Sequence, residues 1–292
     1  MFPVGKARNV LGMYLPMRFL LALGCWLLLA ANLPAAPLTV VTWNTKWLPG
    51  GRPNATERAK AAQMKKAQAI VKALNPDVLL LQEVADWKAA EELCSVVPGL
   101  KVHTVSAFTT RPQNLVVASK LPADSAWYSE WKPTLGPDLP PRGYAFAALQ
   151  LPGGRLLLAY SVHFKSNLGG IDANVAPREE AARQLIAHIR EMTALYGPRG
   201  GTGVVVGGDF NSDPDDSRYA KDHTIPMLRA SALEWAFKNL PHGKRITIPA
   251  AHEFPDGTFD HILYSGLKLL KVSVADGTAS SDHNPVAAQF QP

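Results

Sequence analysis

The sequence describes an α/β domain in which buried strands deliver polar side chains from their C-terminal ends. Three observations carry that reading. The β-branched run Val204-Val205-Val206 ends in Gly207-Gly208 and then Asp209 and Asn211. Period-two alternation sets those two polar groups on one face and turns Phe210 inward. Other apolar runs finish the same way: Leu38-Thr39-Val40-Val41 leads to Asn44, Val78 to Leu81 leads to Gln82-Glu83, and Leu156 to Val162 leads to His163. Between them lie segments of helical period.

At 292 residues, with 47% hydrophobic and 18% charged side chains, the chain is globular and long enough for one large core or two modest ones. No internal repeat or low-complexity tract is present. The formal charge of +6 is concentrated at the front, where residues 1–36 hold Lys6, Arg8 and Arg18 and no acid. Without them 27 basic groups face 24 acidic ones, a small footprint for a tight nucleic-acid binder. Arg18, the apolar run Phe19 to Ala31 and the small residues Ala35-Ala36 follow the order of an export signal. Cleavage is therefore expected near Ala36, leaving a domain over 37–292 in the periplasm or medium, with no stable membrane insertion. A retained anchor is the competing reading, but the uncharged run after Arg18 is short for a span of about 20 residues. Only Cys94 would remain after cleavage, which excludes an intramolecular disulfide.

The elements follow in order. Leu38 to Asn44 is a first strand ending at an amide. A helix follows, with Asn54 and Glu57 at capping-box spacing, an apolar stripe of Ala67, Ile70, Val71 and Leu74, and Arg58, Lys65 and Lys72 on the polar side. Asn75-Pro76-Asp77 breaks it, and Val78 to Leu81 runs into Gln82-Glu83, where a carboxylate beside so apolar a strand needs compensation, for which a metal ion is one candidate. Ala89 to Val97 suggests a helix that buries Cys94.

Leu115 to Ser119 and Tyr144 to Leu151 are strands, separated by a Pro-rich loop from Trp131 to Pro141. Arg142 stands where that loop enters the strand, a place suited to a phosphate clamp. Gly153-Gly154 predicts a hairpin into Leu156 to His163. Pro177 opens the clearest helix, with Ala182, Leu185, Ile186, Ile189, Met192 and Tyr196 on one face and Gly197-Pro198 closing it. Residues 215–257 read as short helices and loops. Phe259 to Tyr264 and Val286 to Phe290 complete the strands, with Ser281-Asp282-His283-Asn284 between them. Each polar residue here also has an ordinary reading as a turn, cap or buried hydrogen-bonding group. A His within reach of a carboxylate on a neighbouring strand, however, is how a general base is oriented.

Taken in chain order, Asn44, Gln82-Glu83, His163, Gly208-Asp209-Phe210-Asn211, Asp260 and Ser281-Asp282-His283 resemble the endonuclease/exonuclease/phosphatase superfamily. Each motif alone is weak and the ordered set is specific. The resemblance implies a four-layer α/β sandwich, two mixed sheets face to face with helices on both outer sides, and a metal-dependent phosphoric ester hydrolase. It implies Glu83 as the main metal ligand with Asn44 and Asp282 nearby, an oxygen-rich set that favours Mg²⁺ or Mn²⁺ over zinc. His283 would be the general base and Asp260 its orienter, with Asp209 and Asn211 placing phosphate or nucleophile. His163 would contact the phosphate and Arg142 would neutralise it. Asn284 departs from the family's more common residues at that position and is expected to touch substrate preference. The expected activity is nonspecific hydrolysis of DNA or RNA backbone by a monomer. The alternatives are a sphingomyelinase-like or inositol-phosphate hydrolase, and a non-catalytic binding module on the same scaffold. No long aromatic hairpin of the membrane-docking kind is evident, which disfavours the lipid.

Overall fold

The computed structural model describes residues 36–108, 113–133, 139–251 and 255–292. The expected export segment therefore lies outside the described residues. The unit Pro37–Pro292 holds two six-stranded sheets. One contains, in spatial order, β11 (Lys268–Val274), β12 (Val286–Gln291), β1 (Leu38–Leu48), β2 (Val78–Val84), β4 (Asn114–Ser119) and β3 (Lys101–Val105). The other contains β5 (Ala123–Glu130), β6 (Gly143–Gln150), β7 (Leu156–His163), β8 (Thr202–Asp209), β10 (Asp260–Ser265) and β9 (Glu234–Trp235). Both sheets are mixed, as a four-layer sandwich requires.

Each sheet is built on a parallel pair joined by a helix. Helix α1 (Glu57–Leu74) connects β1 to β2, and helix α3 (Val175–Tyr196) connects β7 to β8. Parallel strands need such a crossover and bring their C-terminal ends to the same edge. Helix α2 (Trp87–Cys94) packs beside α1, and a shorter α4 (Thr224–Ala230) lies against α3.

Alternation along β1 and β2 divides their side chains between two cores. Val40, Val78 and Leu80 join Phe146, Leu158 and Tyr160 of the second sheet. Val41, Leu79 and Leu81 pack with Met64, Ala67 and Val71 of α1 and with Ala90, Leu93 and Cys94 of α2. Fully burying an aliphatic chain of this size contributes about 2 kcal/mol, so a one-residue slip in register is heavily penalised. The sheets pack tightly around Gly207 of β8. A Cβ at Gly207 would lie 2.7 Å from Leu80 Cδ1 and 2.9 Å from Thr42 Cβ. At Gly208 it would lie 2.0 Å from the Val162 carbonyl oxygen. Below the site, Gln82 Nε2 donates to Thr42 Oγ1 (3.2 Å) and to Ser161 Oγ (3.0 Å), a polar stitch between the sheets.

Three local expectations are corrected. Helix α1 is capped by Thr56, whose side chain accepts the Ala59 N–H, while Asn54 sits in a left-handed turn before it and no capping box forms. Helix α3 begins at Val175, so Pro177 occupies its third position, still within the first turn, where no donor is missed. Strand β1 continues past Asn44 to Leu48, but its pairing with β2 is interrupted between those two residues. Arg58, Lys65 and Lys72 are exposed on the stripe of α1 opposite its buried Gln63, Met64, Ala67 and Val71. They face solvent, away from the sheet the helix covers.

Candidate active site

The register of the second sheet sets three polar residues in a row. Asp209 at the end of β8 stands opposite His163 of β7 on one side and opposite Asp260 of β10 on the other. Phe210 then turns fully inward, its N–H bonded to the Phe259 carbonyl (2.8 Å). Asn211 takes a left-handed conformation with φ 53 and returns its N–H to Asp209 Oδ1 (2.9 Å). Asn tolerates that conformation better than most residues. The Asn211 side chain donates to the Phe164 carbonyl (3.4 Å).

Asp209 is the hub. Its Oδ2 accepts from Asn44 Nδ2 at 3.0 Å and lies 3.4 Å from His163 Nε2 and 3.8 Å from His283 Nε2. His283 comes from the loop before β12, which is bolted to β1: Ser281 Oγ donates to the Asn44 carbonyl (2.8 Å), and Trp43 Nε1 donates to the His283 carbonyl (2.9 Å). Its Nδ1 donates to Asp260 Oδ2 at 2.7 Å. That bond leaves Nε2 directed at the cleft, too far from Asp209 for its hydrogen-bonding capacity to be spent there.

The first sheet contributes a kinked lip. Glu83, Lys46 and Trp47 have φ of 62, 50 and 50, each costing about 1 kcal/mol for a residue other than glycine. Hydrogen bonds hold the kink. Lys46 N–H donates to Asn44 Oδ1 (3.1 Å) and Trp47 N–H to Glu83 Oε2 (3.2 Å). Gln63 Nε2 donates to the carbonyls of Thr45 (2.9 Å), Lys46 (3.0 Å) and Ser280 (3.0 Å). Glu83 Oε1 accepts from Asn44 Nδ2 (3.2 Å), so one amide spans the two carboxylates. Asp282 is half-exposed and pairs with Lys46 Nζ at 2.8 Å.

Burial and charge set the protonation pattern. Burial alone depresses His283, but the Asp260 carboxylate, then Asp209, outweigh it and push its pKa up to about 10. His163 goes the other way: burial first, then Arg142 and His283, hold it well below the usual histidine range, so it is neutral. Burial raises Asp209, with His283 pulling against it. Asp282 is lowered: burial opposes this, and its hydrogen bond to Lys46 prevails, helped by the charge of His283.

Among the described residues, Asp209, Asp260 and His283 offer ligand atoms within 4.8 Å of one another. Of the set expected from sequence, Glu83 and Asn44 are in contact (3.2 Å) while Asp282 pairs with Lys46; their oxygens would suit a hard divalent ion. Arg142 is near the site but committed: Nε donates to the His163 carbonyl (2.9 Å) and a terminal nitrogen to the Phe164 carbonyl (2.8 Å). Asn284 braces its own loop by accepting from Gly277 N–H (2.8 Å) and donating to the Ile246 carbonyl (3.4 Å).

Sequence reasoning missed Lys46, since nothing in Thr45-Lys46-Trp47 announces that β1 will kink. Gln63 was detectable as the one polar residue on the buried stripe of α1. A fully buried Arg178–Asp222 pair (2.7 Å) was also missed; Arg178 donates to Asn167 Oδ1 (2.9 Å), whose amide nitrogen in turn reaches the Asn211 carbonyl (3.1 Å).

The face-to-face sandwich brings carboxylates, amides and two histidines together at its strand ends, the arrangement of a family of metal-dependent phosphoric ester hydrolases. The chain belongs to the Endonuclease/Exonuclease/phosphatase family, whose sequence model matches residues 41–283. No curated protein matches the sequence closely enough to count as a relative. Among solved structures, truncated Caenorhabditis elegans TDP2 aligns with a TM-score of 0.62 at 17% identity, covering 89% of this chain and 100% of that one. The catalytic domain of human Nocturnin with bound sulfate aligns at 0.64 and 17% identity, covering 87% and 94%. An endonuclease/exonuclease/phosphatase from Bacteroides vulgatus aligns at 0.64 and 18%, covering 87% and 98%. At these identities the likeness is one of fold.

Proposed function

We propose that this protein is an exported phosphodiesterase dependent on Mg²⁺ or Mn²⁺ that hydrolyses DNA or RNA backbone without sequence preference. The observation that carries the chemistry is the 2.7 Å bond from His283 Nδ1 to Asp260, which aims Nε2 into the cleft beside Asp209. Export rests on the order of charge, apolar run and small residues in 1–36.

Glu83, Asn44 and Asp282 would hold the metal. When bound, a divalent ion stabilises charge building on the phosphoryl oxygens. His283 Nε2 takes the proton of the attacking water, and Asp260 keeps the imidazole in the tautomer that leaves Nε2 free. This requires neutral His283. The Asp260 and Asp209 carboxylates strengthen it as a base, and its proton affinity would fall towards the working range beside a divalent ion held by Glu83, Asn44 and Asp282. Neutral His163 directs Nε2–H at the same region and donates to a phosphoryl oxygen. Asn44 and Asn211 fix the Asp209 carboxylate.

The test is a parallel assay of purified protein on plasmid DNA, RNA, sphingomyelin and inositol polyphosphates, with Asp209→Ala as the contamination control. Cleavage of nucleic acid that vanishes with chelator and in the variant is expected, and activity should fall as salt rises. Turnover of only the lipid or the inositol phosphates would refute the nuclease reading while leaving the metallophosphoesterase intact.

A further inference from the structure

Lys46 has no part in the chemistry above, yet the kink in β1 is spent on placing it. Its main chain and that of Trp47 are left-handed, and the kink is held by Asn44, Glu83 and Gln63. The result is a half-exposed ammonium 2.8 Å from Asp282 Oδ2, next in sequence to His283. A half-exposed pair of this kind contributes little to stability, so folding alone gives no account of a strained backbone that creates one. The pair also lines an open groove of about 400 Å³ together with Pro249, Ala251, Thr278 and Ser281. The groove carries small side chains and hydroxyls, with Lys46 its one cation among the described residues. A negatively charged group bound there has one ammonium to meet.

We propose that Lys46 is a substrate-positioning residue that binds a second phosphate next to the scissile one, so that the enzyme selects substrates carrying two neighbouring phosphates. The inference rests on the phosphodiesterase reading and deepens it. The shared chemistry is a phosphate one unit away from the reacting centre, supplied either by the next link of a polynucleotide or by a neighbouring position of an inositol polyphosphate. On binding, Nζ exchanges Asp282 for the phosphate oxygens, or bridges both, without any change in covalent structure. Lysine suits this role as a flexible point charge able to move between two acceptors.

The test is equilibrium binding by calorimetry in Mg²⁺, free of any need for turnover. Thymidine 3′,5′-bisphosphate is compared with thymidine 5′-monophosphate, and inositol 4,5-bisphosphate with inositol 4-phosphate. The parent is expected to favour the bisphosphate of at least one pair by about tenfold, the scale of one charge-assisted contact. Lys46→Met should bring that ratio to about one, and Lys46→Arg should retain most of it. The pair that shows the preference identifies the source of the second phosphate. Inositol preference without thymidine preference would sink the nuclease reading and keep the Lys46 assignment. No bisphosphate preference in the parent, or an equal preference in Lys46→Met, overturns the assignment itself.

Discussion

The two sheets reach the cleft in different ways. In the second sheet, β7 and β8 stay regular to their last residue and β10 is regular from its first, and register alone lines up His163, Asp209 and Asp260, each at most 4% exposed. In the first sheet the ladder between β1 and β2 breaks, and left-handed residues push Glu83 and Lys46 towards the opening, with Asp282 half-exposed beside them. The contrast separates two tasks. Proton affinities are set where side chains are rigid and dry, because low polarity magnifies each neighbouring charge. On the proposed reading, cations and phosphates are met where side chains keep access to solvent.

The largest break in this arrangement is expected at the kinked lip. Glu83→Gln should lower turnover by at least about a thousandfold, the several kcal/mol that a polarising metal supplies, and calorimetry should show weakened Mg²⁺ binding. Full activity at saturating metal, or in excess chelator, would break the division of tasks. In the regular row, His283→Ala should cost about a hundredfold or more in kcat while Mg²⁺ affinity stays near the parent's. A variant within about tenfold of the parent would remove His283 as the base.

The same contrast explains what could be read from the sequence. All eight interior strands were legible, most because burial on both faces writes apolar runs such as Val204-Val205-Val206, and β12 through its alternation of buried and more exposed residues. The strands that were not, β3, β5, β9 and β11, are the four sheet edges, and their half-exposed residues obscure the alternation. Within the site, His163, Asp209, Asp260 and His283 were legible since each ends or borders an apolar run. Lys46 was not, because its position depends on a kink fixed by Gln63 and Glu83 from other elements. Asn284, expected to touch substrate choice, has a structural task that the sequence did not show, since its amide closes the loop through Gly277 and Ile246.

A smaller effect sharpens the comparison from the side of packing. Gly207 keeps the sheets close just behind the row, so Gly207→Val should destabilise the fold by about 1–3 kcal/mol in urea unfolding through overpacking against Leu80 and Thr42. Unchanged stability would mean that the sheets are free to separate there.

The most direct measurement is an NMR titration of the His283 ring in the metal-free protein, parent against Asp260→Asn. The parent should titrate near about 10, since the Asp260 and Asp209 carboxylates overcome burial. A histidine with a raised folded pKa contributes stability in full below its unfolded value, about 6.5, and loses it as pH rises through the folded value. The urea midpoint of the parent should therefore fall between about pH 6.5 and 10 more steeply than that of Asp260→Asn. In the variant, burial loses its strongest opponent and the ring pKa should drop by more than about one unit. Titration of His283 at the ordinary histidine value in both proteins would contradict the claim that these three residues act as one proton-handling unit.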